Sequence, residues 1–282
     1  GLEPDNAELY DTRGNTLMSL NEYVLAISDY DEAIRLDSNT AAYYVDRAAA
    51  FAKQGKYSAA IREYGIAINA DPERAEPYFQ RGAAYAKLGR FEDAFRHLNE
   101  AIRLDPGNAS LYINRGTAYG DLGQNYRALT SLNEAIERQP DDARLYSDRA
   151  VAYIVQNRPD LAIEDYTTAI GLVPTNADLH SDRGLAYDTM ENYQAAIQDF
   201  DEAIRLSPRD TRFFTNRGDT LSKLGDFEGA IRDYTEAIRI SPRNSQAFNN
   251  RGIAYRDMGD LEQAIKEFEF AIRANIEYPW AY

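Results

Sequence analysis

The chain has 282 residues, a net charge of −15 at pH 7 and a hydrophobic content of 44%. Such a hydrophobic fraction argues against intrinsic disorder, and the acidic charge argues against nucleic acid as a partner, because phosphate recognition needs a basic face. No apolar run approaches the ~18 residues that span a bilayer, so no membrane insertion is expected. The absence of cysteine excludes disulfides and thiolate chemistry. The compartment stays open, with the cytoplasm favoured.

An arginine followed by glycine or alanine recurs every 34 residues along nearly the whole chain. These arginines are Arg13, Arg47, Arg81, Arg115, Arg149, Arg183, Arg217 and Arg251. A fixed period of this length indicates stacked supersecondary units rather than one wound core. With Ala7 counted as slot 1, eight units start at residues 7, 41, 75, 109, 143, 177, 211 and 245.

Each unit carries the pattern of two amphipathic helices. Apolar or small residues occupy slots 4, 8 and 11 and then slots 20, 24, 27 and 28, which is the three-and-four spacing of a helix face. Glycine at slot 15 in most units, such as Gly89, separates the two runs, and proline at slot 32, such as Pro106, ends the second. The pattern therefore predicts a pair of antiparallel helices in every unit, with small residues at slots 8 and 20 where the backbones approach.

This pattern resembles the tetratricopeptide repeat family over residues 7–278. The matching residues of the third unit are Tyr78, Gly82, Tyr85, Ala94, Leu98, Ala101 and Pro106. The resemblance implies an all-α fold, an α-solenoid in which stacked antiparallel helix pairs form a right-handed superhelix. Residues 1–6 then correspond to the tail of a missing upstream repeat and residues 279–282 to the start of a truncated ninth unit. We expect a fragment of a longer array; the alternative is that the end residues fold back as a partial cap.

Slot 7 is arginine in all eight units, where the family commonly has leucine, and slot 23 is acidic in six of them. Because the hairpin turns near slots 15 and 16, these two slots should lie level with each other. We therefore predict the ion pairs Arg13–Asp29, Arg47–Glu63, Arg149–Asp165, Arg183–Asp199, Arg217–Asp233 and Arg251–Glu267; the alternative is a solvated charged face. The third and fourth units place His97 and Ser131 at slot 23. Arg81 and Arg115 consequently lack regular partners and could turn towards other acids or a ligand.

The residues that could carry catalysis are few. The two histidines, His97 and His180, lie in different units, and His180 fills the aromatic slot 4 as a packed ring would. Paired carboxylates such as Asp201 and Glu202 recur at the same slots, as expected of solvated helix faces. We recognise no nucleophile–base pair, metal cluster or phosphate loop. The sequence therefore predicts no enzymatic activity, no cofactor and no metal site.

The resemblance places ligand-facing residues at slots 2, 5, 6, 9, 12 and 13 of the first helix, along a concave groove. A clamp for acidic chaperone tails needs lysine at slot 5, and no unit of this chain has one. In units 2 to 5 these slots are unusually apolar, which predicts a continuous strip. The proposed groove residues are Val45, Phe79, Ile113, Val151, Ile154 and Val155, with Arg81 and Arg115 as polar contributors. The alternative is that these apolar residues pack against the next unit.

Three functions are consistent with this reading. The leading hypothesis is a protein-interaction scaffold whose groove binds a peptide or partner helix with an apolar segment. A second is that the array is the substrate-recruiting region of a larger enzyme. A third is a structural array that self-associates head to tail through exposed end helices.

Overall fold

The computed structural model describes residues 6–276, and this part of the chain forms sixteen α-helices without a β-strand. Their bounds are α1 Ala7–Ser19, α2 Tyr23–Leu36, α3 Ala41–Lys53, α4 Tyr57–Ala70, α5 Ala75–Lys87, α6 Phe91–Leu104, α7 Ala109–Asp121, α8 Asn125–Arg138, α9 Ala143–Val155, α10 Pro159–Leu172, α11 Ala177–Thr189, α12 Tyr193–Leu206, α13 Thr211–Leu224, α14 Phe227–Ile240, α15 Ser245–Asp257 and α16 Leu261–Ile276. Odd-numbered helices are the first and even-numbered helices the second of each pair. The predicted all-α fold of paired helices is confirmed.

Every first helix begins at slot 1 of its repeat, and in six of the eight the residue just before it caps the helix with its side chain. The side chain of Asn108 accepts a hydrogen bond from the Ser110 backbone N–H at 3.1 Å, and Asn176 does the same for Asp178 at 3.0 Å. Such caps satisfy backbone donors that have no partner within the helix.

The turn inside each pair depends on a left-handed residue at slot 15. Five units place glycine there, for example Gly225 with φ 87°, but the other three use Asn21, Asn157 and Glu191 with φ between 58° and 60°. Asparagine tolerates this region, whereas glutamate adopts it at a steric cost. Glu191 is therefore the least suited of the eight turn residues.

The helices form two compact units, the first unit α1–α8 and the second unit α9–α16, and each of these contains four of the 34-residue repeats. A single repeat is called a helix pair from here on. Within each unit, consecutive helices pack against each other, both inside a pair and from one pair to the next. Each unit is thus a short α-solenoid of four helix pairs, with its core distributed along the stack rather than gathered in one centre.

Small residues at slots 8 and 20 set the spacing inside each pair. A Cβ added to Gly184 would lie 2.8 Å from Cε1 of Phe200, which is fully buried on the second helix. Ala196, at slot 20 of the same pair, is also fully buried. The aromatic ring at slot 24 thus fills the space that a side chain at slot 8 would need.

Two end segments were predicted from the sequence, residues 1–6 and 279–282, and all of the second and all but Asn6 of the first lie outside the described residues. Asn6 is described, and its side chain accepts a hydrogen bond from the Leu9 backbone N–H at 3.3 Å at the start of α1.

Candidate functional site

A ladder of arginines runs along both units, on the face of each first helix that meets its own second helix. Arg183 donates from Nε and Nη2 to the two carboxylate oxygens of Asp199 at 2.8 and 2.7 Å, and Arg217 binds Asp233 in the same way at 2.8 and 2.6 Å. The structure places all six predicted pairs within hydrogen-bonding distance: Arg13–Asp29, Arg47–Glu63, Arg149–Asp165, Arg183–Asp199, Arg217–Asp233 and Arg251–Glu267. The hydrogen bonds that Arg183 donates to Asp199 raise the pKa of Arg183 above its usual value, so the guanidinium stays charged.

The same arginines also reach back to the preceding helix pair, a link that sequence reasoning missed. Nη1 of Arg47 donates to Asp31 at 2.6 Å and Nη1 of Arg183 donates to Thr167 at 3.0 Å. These acceptors occupy slot 25, 16 residues before the arginine. The sequence did contain a signal for this link, because slot 25 is polar or acidic in seven of the eight helix pairs. Each such arginine therefore joins three helices of two consecutive pairs.

Arg115 has no carboxylate at slot 23 to bind, but other side chains take the place of that partner. Its Nε donates to the Ser131 hydroxyl at 3.0 Å, Nη1 donates to Asn99 at 3.0 Å, and Nη2 forms an ion pair with Glu134. All three groups of the guanidinium are thus occupied within the fold. A ligand would therefore have to compete with these partners for Arg115, whose role in the groove stays a prediction.

Arg81 has no such compensation within the described residues. His97 takes the place of its acid, is buried, and directs Nδ1 to the Asp93 carbonyl at 2.7 Å. The His97 ring packs on Tyr85 with ring centroids 5.1 Å apart. Burial, with the charge of Arg81 adding to it, lowers the pKa of His97, so this ring is neutral near pH 7. Arg81 Nε is buried without a hydrogen-bond partner.

His180 is a packed ring, as expected from its slot. It is buried, and its Nε2 lies 3.1 Å from the carbonyl oxygen of Pro174, six residues earlier. Tyr112 makes the equivalent contact through its hydroxyl, which donates to the Pro106 carbonyl at 3.1 Å. His180 therefore reproduces the hydrogen bond of the tyrosine that normally occupies slot 4.

The predicted apolar strip divides into buried and exposed residues. Val45 is 3% exposed and belongs to a core cluster with Tyr44 and Ala48, so its side chain offers almost no surface to a ligand. Phe79 and Ile113 are half-buried in the first unit. In the second unit Val151, Ile154 and Val155 are 51%, 38% and 63% exposed along α9. The exposed apolar surface of the predicted groove thus lies mainly on α9.

Further along the second unit, polar side chains connect neighbouring first helices. Thr220 on α13 donates to Asp188 on α11 at 2.8 Å, and Lys223 forms an ion pair with the same carboxylate. Asp219 on α13 accepts from Asn250 on α15 at 2.9 Å and from the Tyr234 hydroxyl at 2.7 Å. These first helices are therefore cross-linked by hydrogen bonds and present a polar surface, unlike α9.

In the first unit, the carboxyl groups of Asp11 on α1 and Asp46 on α3 lie next to each other and interact. Burial and the adjacent Asp11 charge raise the pKa of Asp46 to about 7, and burial also raises the pKa of Asp11. The pair therefore holds a proton well above the usual range of a carboxyl group.

Across residues 6–276 no group of three or more histidine, aspartate or glutamate side chains is arranged to hold a metal ion. Nor is any helix in this range long and apolar enough to cross a bilayer.

The fold and the ladder define an α-helical repeat protein built from 34-residue helix pairs. Sequence profiles described as TPR repeat match residues 14–55, 48–89, 84–123 and 218–259, and further tetratricopeptide repeat profiles match residues 113–177, 177–210 and 245–275. The chain belongs to the tetratricopeptide repeat family. No curated protein matches the sequence.

Several solved structures share the fold at low sequence identity. The C-terminal part of a TPR repeat-containing protein from Cytophaga hutchinsonii is 16% identical with a TM-score of 0.71, covering 85% of this chain and 98% of that one. A tetratricopeptide repeat protein from Parabacteroides merdae is 17% identical with a TM-score of 0.62, covering 94% and 98%. YrrB, described as a TPR protein with an unusual peptide-binding site, is 23% identical with a TM-score of 0.53, covering 64% and 93%. At these identities the similarity establishes the fold alone.

Proposed function

We propose that this chain is an interaction scaffold that binds an amphipathic peptide or partner helix carrying apolar and basic side chains. Repeat arrays of this family expose long surfaces that are used for binding rather than for catalysis. The observation that carries the proposal is the exposed apolar face of α9, formed by Val151, Ile154 and Val155.

The three side chains share one face of α9 because residues three and four positions apart lie one turn apart. Isolated apolar residues are common on protein surfaces, but a cluster on one helical face exposes a patch that a partner would bury. Each anchor that a partner covers fully contributes on the order of 1–2 kcal/mol from apolar burial. The group that would bury this patch is an apolar side chain of a bound helix.

The charges beside this patch favour a basic partner. Asp148 precedes Val151 by three residues on α9, and Asp182 occupies the equivalent position on α11. Neither carboxylate forms a hydrogen bond or ion pair within the described residues. Burial raises the pKa of Asp182, so an incoming lysine or arginine would stabilise its charged form. The net charge of −15 also favours the approach of a basic segment.

We propose a second, more recessed contact in the first unit. Phe79 on α5 and Ile113 on α7 both occupy slot 5, and these two first helices contact each other directly. Their half-buried side chains can accept one apolar residue between them. Val45 is excluded from this contact because it is buried in the core.

The test is selection of displayed peptides of about 16 residues, long enough for four helical turns, on the purified chain. The selected peptide is then measured by fluorescence anisotropy against three variants: Val151→Ser/Val155→Ser, Phe79→Ser/Ile113→Ser, and the control Val24→Ser, which alters an exposed apolar residue on α2. We expect enrichment of apolar and basic residues and at least about tenfold weaker binding to the α9 variant, with the control unchanged. Equal affinity for all folded variants would exclude both surfaces.

A second candidate function is head-to-tail self-association, favoured by the faces of α16 and α1. On α16, Ile265 is 61% exposed, whereas Ile61 at the same slot of α4 is 7% exposed. On α1, Leu9 is exposed, whereas Phe213 at the same slot of α13 is buried against Ala203 and Ile204 of the preceding pair. The α1 of one copy could therefore cover the α16 of another. Sedimentation velocity across a concentration series should show larger species that Ile265→Lys abolishes; a monomer at every concentration would rule this out.

A further inference from the structure

Arg81 is the one ladder arginine, within the described residues, that has lost both of its acceptors. Its own second helix supplies His97 where the other pairs supply an acid or, for Arg115, a serine with a nearby glutamate. The preceding second helix supplies Gly65 where other pairs supply side chains such as Asp31 or Asp201. Gly65 and His97 lie 16 residues before and 16 residues after Arg81, at the two acceptor positions of the ladder. The two positions that adjoin the Arg81 guanidinium, Gly65 and His97, thus both depart from the repeat pattern.

The Arg81 side chain is nevertheless held in the ladder position. A Cβ added to Gly65 would lie 3.2 Å from Nη2 of Arg81, so the guanidinium rests against the bare backbone of α4. On the other side it lies over the Tyr85 ring, 5.7 Å from the ring centroid. Its Nε is buried without an acceptor. Packing therefore holds the N–H donors of the Arg81 guanidinium in place, although the carboxylates that other ladder arginines bind are missing.

The surface next to Arg81 has lost its acids as well. In the first pair, slots 25 and 26 are Asp31 and Glu32, but on α4 they are Gly65 and Ile66, and Ile66 is 42% exposed. Arg62 precedes Gly65 by three residues and shares its face of α4. Arg62 is exposed and forms no ion pair within residues 6–276. A chain of net charge −15 thus presents two arginines and an exposed isoleucine together.

We propose that Arg81, with Arg62 beside it, binds an acidic side chain of a partner protein, and that Ile66 receives an apolar residue next to that acid. The carboxylate would occupy the space that the slot-25 acid fills elsewhere in the ladder, where a guanidinium binds it through charged hydrogen bonds. This site is separate from the apolar groove, because two residues along a helix rotate the side chain by about 200°, which turns Arg81 away from Phe79.

The experiment uses the whole chain and a fluorescein-labelled peptide of sequence Glu-Glu-Leu-Glu-Glu, with the Gln-Gln-Leu-Gln-Gln peptide as the uncharged control. Fluorescence anisotropy measures binding to the wild type, His97→Asp, Gly65→Asp and Arg81→Gln. The matched control variant is Arg232→Gln, because Arg232 is the exposed residue on α14 at the slot of Arg62. His97→Asp and Gly65→Asp restore an internal acid that other pairs already carry, so they should fold whatever happens to Arg81→Gln.

We expect the glutamate peptide to bind the wild type and to lose at least about tenfold in affinity with His97→Asp, Gly65→Asp and Arg81→Gln, while Arg232→Gln leaves binding unchanged. His97→Asp should also raise the midpoint of thermal unfolding, because it supplies the missing carboxylate. Unchanged binding to a folded His97→Asp variant would overturn the proposal. Equal binding of the glutamine peptide, or binding of inorganic phosphate in place of the glutamate peptide, would also overturn it.

Discussion

Arg183 and Asp199 form a two-point ion pair between α11 and α12, with N–O distances of 2.8 and 2.7 Å. The two partners are buried unequally: the aspartate side chain is 7% exposed, whereas the arginine side chain is 19% exposed. Arg183 has a further acceptor in Thr167, whereas beside Asp199 the Nδ1 atom of the His180 ring lies 3.7 Å away. The loss of stability should therefore depend on which of the two partners is removed.

Arg183→Leu should destabilise the protein more than Asp199→Ala. The first change leaves a buried carboxylate without its guanidinium, a loss on the order of 3 kcal/mol, whereas the arginine left by the second can still reach Thr167 and water. Because leucine is common at this slot in the family, the sequence pattern alone would favour the opposite order. Thermal unfolding of the two variants, with the double variant Arg183→Leu/Asp199→Ala as control, decides between them. A smaller loss of stability for Arg183→Leu than for Asp199→Ala would show that burial of the aspartate does not determine the free-energy cost of breaking the pair.

Glu191→Gly should stabilise the protein. Glu191 has φ 59°, in the left-handed region, which costs a residue with a Cβ on the order of 1–2 kcal/mol. Asn157→Gly, at the same turn position with φ 58°, should give a smaller gain because asparagine tolerates this region better. Midpoints of urea unfolding compare the two variants. Equal gains, or a loss with Glu191→Gly, would contradict the argument.

Gly184→Ala should destabilise the pair α11–α12 by about 1–3 kcal/mol, because the added Cβ meets the buried Phe200 ring. The control is Gly120→Ala in α7, where a Cβ meets no atom within 4 Å. Alanine is the better helix former by roughly 1 kcal/mol, so this control should stabilise. Circular dichroism melts measure both, and the same sign of effect in the two variants would refute the prediction.

Stability should fall as the pH rises from about 4 to about 7 on account of Asp46. Its pKa is raised from 3.8 to about 7 in the folded protein, so the folded state holds a proton that the unfolded state has released across this window. The contribution is present at low pH and is lost as the pH passes the folded value. Asp46→Asn should therefore flatten this fall and raise the unfolding midpoint at pH 8. Melts between pH 5 and 8 test this, with Asp121→Asn as an exposed control; identical slopes for Asp46→Asn and wild type would contradict it.

Much of this protein follows from local sequence pattern. The 34-residue period and the three-and-four spacing predict the helix pairs, because a helix presents one face at regular intervals whatever lies beyond it. The predicted partners at slots 7 and 23 also depend on geometry within a single hairpin. Residues 16 positions apart across a short turn are brought level by the turn itself, so Arg183 and Asp199 could be paired without knowledge of neighbouring units.

The tertiary structure decided what depends on contacts between pairs. Val45 at slot 5 and Val151 at slot 9 were both assigned to the groove, yet Val45 is buried and Val151 is exposed, because the two slots pack differently against neighbouring helices. The second acceptor of each arginine comes from the preceding pair, which the hairpin pattern does not reveal. Glu134 could be recognised as the partner of Arg115 only once both side chains were placed. Arg81 could be recognised as lacking a partner only when both Gly65 and His97 were seen to adjoin it. Exposure and pairing across helices are set by packing in three dimensions, whereas helix position is set by spacing along the chain.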